Sequence, residues 1–96
     1  MTVTTPPPEP LICAAMIRAA RGLLNISQTE LGENLTPKVS RRTMSKIETD
    51  APGRPDQRRR DVLIAIREHM QHKGIEFLFG NDEIEEGVLR RKLPIA

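Results

Sequence analysis

The chain has no tryptophan, no tyrosine and two phenylalanines, Phe77 and Phe79, among its 96 residues. A core without large rings must be built from Leu, Ile, Val, Met and Ala, which suits small packed helices and gives little wall for a large substrate cavity. A chain of this length holds one domain. Cysteine is nearly absent as well: Cys13 stands alone, which excludes an internal disulfide and fits a reducing cytoplasm. Because it lies in an apolar run, Cys13 is expected to be a buried structural thiol. No apolar run approaches the roughly 20 residues that a membrane-spanning helix needs. The first ten residues carry Pro6, Pro7, Pro8 and Pro10 without a basic leader, and read as a disordered lead-in rather than a secretory signal.

A large net charge is also lacking, but the formal +2 hides an uneven distribution. Residues 1–37 set two arginines against three glutamates, and residues 61–96 set five basic side chains against seven acidic ones. Between them, residues 38–60 hold eight cations against three acids. A basic middle between mildly acidic ends points to a polyanionic partner.

Helical periodicity organises most of the chain. Residues 11–24 place Leu11 or Ile12, Met16, Ala20 and Leu23 or Leu24 on one face, with Arg18 and Arg21 elsewhere. Pro10 suits the start of that helix. Ser27-Gln28-Thr29-Glu30 matches a capping box, with Ile26 and Leu31 as its hydrophobic staple. The short helix it opens contains Gly32, a residue that costs about 1 kcal/mol against Ala and marks a close crossing by another helix. Thr36-Pro37-Lys38 makes a turn. Ser40 then caps a helix from Arg41 to about Glu48, with Met44 and Ile47 inward and Arg41, Arg42, Ser45 and Lys46 outward. A fourth helix runs from about Asp56 to about Lys73 on a stripe of Val62, Ile66 and Met70, with Leu63 alongside and Gly74 closing it. Beyond it the period changes. Residues 75–79 and 87–93 are short β-prone runs joined by turn chemistry at Gly80-Asn81-Asp82, which predicts a terminal hairpin. The expected organisation is a lead-in over 1–10, a helical domain over 11–73 and a hairpin tail over 74–96.

Ser27-Gln28-Thr29-Glu30-Leu31-Gly32-Glu33 followed by Val39-Ser40-Arg41-Arg42-Thr43-Met44-Ser45-Lys46-Ile47-Glu48 resembles the Cro/repressor-type (XRE) helix-turn-helix regulators. The resemblance spans about residues 11–72. It implies a mainly α, lambda-repressor-like four-helix domain, here with a C-terminal hairpin. It further implies a cytoplasmic, nucleoid-associated DNA-binding protein, a homodimeric repressor on inverted half-sites. Separately, the sequence has no phosphate-cradling Gly loop, nucleophile elbow or zinc spacing, so no enzymatic activity, cofactor or small-molecule ligand is expected. In such proteins the second helix of the pair enters the major groove. Arg41, Arg42 and Lys46 match the base-reading positions, with Ser45 beside them. Gln28, Ser40, Thr43, Lys38, Arg54 and Arg58 are the phosphate candidates. Arg21 and Glu48 match a structural ion pair between the first and third helices. Two departures stand out: the turn over 34–39 is about two residues longer than the family's, and Gly32 replaces a common Ala.

The apolar terminal segment, with Ile75, Phe77, Phe79 and Val88, is the expected dimer contact. Acidic residues 82–86 allow a contact with RNA polymerase, so the alternative readings are a dual activator and repressor, or an autoregulating antitoxin that holds a toxin protein through its tail. His69 and His72 stand three apart on the fourth helix, but no third ligand joins them, so no metal is expected. Glu83, Glu85 and Glu86 lack the ligand alternation of a calcium loop and read as a solvated turn.

Overall fold

The computed structural model describes residues 11–49 and 56–92. The expected lead-in over 1–10, with Pro10, and the loop carrying Arg54 lie outside these residues, as does residue 93 at the end of the expected return strand. The order is α1 (Ala14–Leu24), α2 (Gln28–Glu33), α3 (Arg41–Thr49), α4 (Gln57–His72), β1 (Ile75–Leu78) and β2 (Gly87–Arg90). The fold is mainly α with a C-terminal antiparallel hairpin. Among the described residues no helix is long and apolar enough to cross a membrane.

Helix α1 begins three residues later than periodicity alone suggests, at Ala14, with Cys13 in the N-cap position. Ile12 still reaches the core, joined by Met16, Ile17 and Ala20, while Leu23 is exposed. The placement of Cys13 corrects the expectation of a buried thiol. The apolar run straddles the helix start, so Cys13 sits outside the helical face, exposed, and its thiol donates to Glu86 Oε2 at 3.1 Å. The helix closes on Asn25 in the left-handed region (φ 56°), whose amide returns to the Arg21 and Gly22 carbonyls.

Helix α2 is opened by Ser27, whose hydroxyl accepts from the Glu30 amide at 3.0 Å. Leu31 and Leu35 enter the core from this element and its exit. Gly32 is a contact point, but with a turn rather than a helix. A Cβ there would lie 2.1 Å from the Val39 carbonyl oxygen, and the Val39 amide donates to the Gly32 carbonyl at 2.9 Å. The Pro37-containing turn therefore folds back across α2 at the one residue without a side chain, and Gly32 and that turn form one structural feature.

Helix α4 is capped by Asp56, whose Oδ1 accepts from the Arg59 amide at 2.8 Å. Leu63, Ile66 and Met70 face the core, and Val62 is half-buried. Gly74 leaves the helix with φ 92°, where a Cβ would be strained. The strands pair Ile75 with Arg90, Glu76 with Leu89, Phe77 with Val88 and Leu78 with Gly87. Opposed residues of an antiparallel pair share a face. Ile75, Phe77, Val88 and Arg90 thus lie on one side of the sheet, and Glu76, Leu78 and Leu89 on the other. The first side packs on the helices: β1 against α4 and β2 against α1. Ile75 and Phe77 are buried in the same core as the helices.

Candidate nucleic-acid interface

Helix α3 presents two unlike faces. Met44, Ile47 and Glu48 are buried, whereas Arg41, Arg42 and Lys46 are exposed and Ser45 is half-buried. Arg42, Ser45, Lys46 and Thr49 recur at spacings of three and four, which places them on one ridge opposite the core. Thr49, which closes that ridge, is absent from the sequence reading because the loop after it hid how far the helix extends. Its hydroxyl donates to the Ser45 carbonyl at 2.8 Å.

Both ends of α3 are fixed. At the start, Ser40 Oγ accepts from the Thr43 amide at 3.2 Å and donates to Thr43 Oγ1 at 3.1 Å. At the end, Arg21 grips Glu48 in a fork, with Nε to Oε2 at 2.9 Å and Nη2 to Oε1 at 2.8 Å. The third nitrogen, Nη1, donates to the Ile26 carbonyl at 3.1 Å. Glu48 is only 1% exposed, so the bidentate geometry is what makes its charge tolerable. Arg18, one turn earlier on α1, donates to the Glu48 main-chain carbonyl. That carbonyl lies in the last turn of α3, where helix oxygens lack partners and cations are favoured. Arg18 was not singled out by sequence. The signal available was its spacing of three from Arg21.

The phosphate candidates gather elsewhere. Lys38, Ser40, Thr43 and Arg58 line a cleft of about 820 Å³ between the 36–40 turn, the start of α3 and the start of α4. Asp56, Asp61 and Arg59 line it as well. Gln57 Nε2 donates to Asp61 Oδ1 at 2.8 Å. The cleft is therefore mixed in charge, and the Arg58-Arg59-Arg60 run is not a uniform patch, since Arg59 and Arg60 are half-buried. Gln28 stands apart at the first position of α2, half-buried, with no side-chain hydrogen bond among the described residues. Arg54 lies outside the described residues.

Of the expected dimer contact, the side chains of Ile75 and Phe77 are drawn into the protomer's own core, while Phe79 and Val88 are half-buried against it. Ile75 and Phe77 are 3% and 7% exposed within the protomer's own core. Val88 opposes Phe77 on the same side, and Phe79 lies under the Arg67 guanidinium at 4.9 Å from the ring centre. Alternation along the strands turns Ile75, Phe77 and Val88 toward the helices, and Phe79, just past β1, is half-buried against the same core. On α4, His69 is half-buried and His72 exposed. Burial first, then Lys73 and His72, hold the His69 pKa below its ordinary 6.5.

No protein-family model matches this chain, and the searches of characterised proteins and of solved structures found no match either.

Proposed function

We propose that this protein is a sequence-specific DNA-binding transcriptional regulator, a homodimeric repressor working at the nucleoid. The single observation that carries the reading is the division of α3. Its inner face is locked by Met44, Ile47 and the Arg21–Glu48 fork, while its outer ridge offers only polar and basic side chains to solvent. A helix held rigidly at both ends, with long hydrogen-bond donors on its free side, suits the dimensions of the major groove. Arg41, Arg42 and Lys46 are assigned to guanine O6 and N7, with Ser45 as a shorter partner. Lys38, Ser40, Thr43 and Arg58 follow the flanking phosphates, and Gln28 anchors the start of α2.

Occupancy alone suffices for repression, and two protomers give two half-sites about 10 base pairs apart or a multiple of that. Selection from random duplex oligonucleotides with the purified protein tests the reading directly. The expected product is an inverted repeat with guanines in each half. Failure to enrich any sequence at moderate salt would refute the assignment.

A further inference from the structure

We infer that the open edge of β2 is the homodimer surface, where it pairs antiparallel with β2 of a second copy about a two-fold axis at Val88. The Arg91 amide donates to the Gly74 carbonyl at 2.8 Å, one step past the strand pairing. Alternation along the ladder then turns the main-chain groups of Gly87 and Leu89 toward β1 and those of Val88 and Arg90 away from it. Among the described residues nothing pairs with that outward row. An unprotected strand edge is a template for another strand, and a two-stranded sheet gains stability by becoming four-stranded.

The occupant is chosen by charge. The run Glu85-Glu86-Gly87-Val88-Leu89-Arg90-Arg91 is acidic before Val88 and basic after it. Antiparallel pairing needs outward-pointing residues to face each other, so a two-fold at Val88 is an allowed register. It sets Arg90 opposite Glu86 of the partner subunit and Arg91 opposite Glu85 of the partner subunit, and symmetry repeats both. Glu86 stands immediately before β2 and Glu85 lies in the bend that leads into it, where a Cβ on Gly80 would lie 2.5 Å from the Glu85 carbonyl oxygen. No such complement exists on β1, whose residues 75–78 carry one charge, Glu76. Helix α1 lies along the β2 side, with Arg90 Nη1 on the Leu23 carbonyl at 3.2 Å. Helix α1 also exposes Ala15, Ala19 and Leu23, small or apolar side chains that a second α1 can approach.

Sedimentation velocity of the full chain without DNA tests this. The wild type is expected to be a dimer that weakens as salt rises. Glu86→Arg and Arg90→Glu each set like charges across the axis, and should raise the dimer dissociation constant on the order of a hundredfold. Mixed in equal amounts, the two variants restore opposite charges at every pair and should sediment as a heterodimer. A monomeric wild type, single variants as dimeric as wild type, or a mixture that stays monomeric while each variant keeps its helical circular dichroism would each overturn the inference. Should a reversal unfold the chain, Glu86→Gln and Arg90→Gln serve instead: both must weaken the dimer, and unchanged dimers refute it. The inference deepens the homodimeric reading above and rests on it only for its consequence at DNA. A wild-type dimer that binds no duplex sinks the function and leaves the interface standing, whereas a DNA-binding monomer does the reverse.

Discussion

Arg21 joins three segments through one guanidinium: the α1 helix it belongs to, the Ile26 carbonyl in the linker, and the Glu48 carboxylate at the end of α3. Removing it strands a carboxylate that is 1% exposed, and breaking a buried pair this way costs about 3 kcal/mol or more. In a domain of this size that is a fall in Tm on the order of 10 °C or more. Arg42, exposed on the opposite side of α3, should change Tm little when replaced by Ala. Thermal melts of Arg21→Ala and Arg42→Ala side by side check the contrast, and equal curves would dissolve the structural role given to Arg21. His69 makes a second residue-scale prediction. Its folded-state pKa lies below 6.5, chiefly through burial and then through Lys73 and His72. The unfolded chain therefore takes up the proton first, so stability from this site is intact above pH 6.5 and is lost as pH falls below it. His69→Gln should flatten the decline in Tm between about pH 7.5 and 5.5. A variant whose decline runs parallel to wild type would remove His69 as its source.

At the scale of elements, the turn between α2 and α3 sets how the outer ridge is presented, and Gly32 is where that turn is seated. Gly32→Ala would ordinarily favour a helix by about 1 kcal/mol. Here its methyl would meet main-chain oxygen at 2.1 Å, which no side-chain movement relieves. The expected net effect is a loss of about 1–3 kcal/mol, read by denaturant titration, and, on the proposed DNA-binding function, weaker duplex binding as α3 shifts. A stabilised Gly32→Ala protein would show that the turn moves freely. The four helices and the hairpin were readable from the chain because caps, turns and periodicity are local signals carried by Ser27, Ser40, Gly74 and the stripes between them. What was not readable is non-local. Cys13 looked buried because its neighbours are apolar, yet the helix starts just after it. Ile75 and Phe77 looked like an interface because they lie in a β-prone run that would expose a strand edge, and only the packing of the hairpin on α1 and α4 shows that their side chains enter the core. For the same reason, truncation after Gly74 would remove part of the core along with the hairpin. Phe77→Ala alone should cost about 3–4 kcal/mol.

At the scale of the whole molecule, the described cations on α3 and those between the 36–40 turn and the start of α4 lie in two places that would bear differently on a polyanion. The α3 ridge projects Arg42 and Lys46 away from the core, while Lys38 and Arg58 line the cleft beside α4 together with Asp56 and Asp61. A cation near acids still releases a counterion when it meets phosphate, but it adds no preference among base pairs. Each phosphate neutralised steepens the log–log dependence of affinity on salt by about 0.9. If Arg58 makes such a contact in both protomers of a dimer, Arg58→Ala should flatten that slope by about 2 units and weaken every sequence alike. If the α3 ridge reads base edges as proposed, Arg42→Ala should cost about 1–3 kcal/mol per half-site on the preferred sequence, and less on others, so that the ratio of specific to nonspecific binding falls. The two variants are thus separable by one experiment, titration of selected and scrambled duplexes across a salt series. An unchanged slope for Arg58→Ala would leave Arg58 a surface charge balanced by its acidic neighbours. Equal losses on both duplexes for Arg42→Ala would move sequence reading off the α3 ridge.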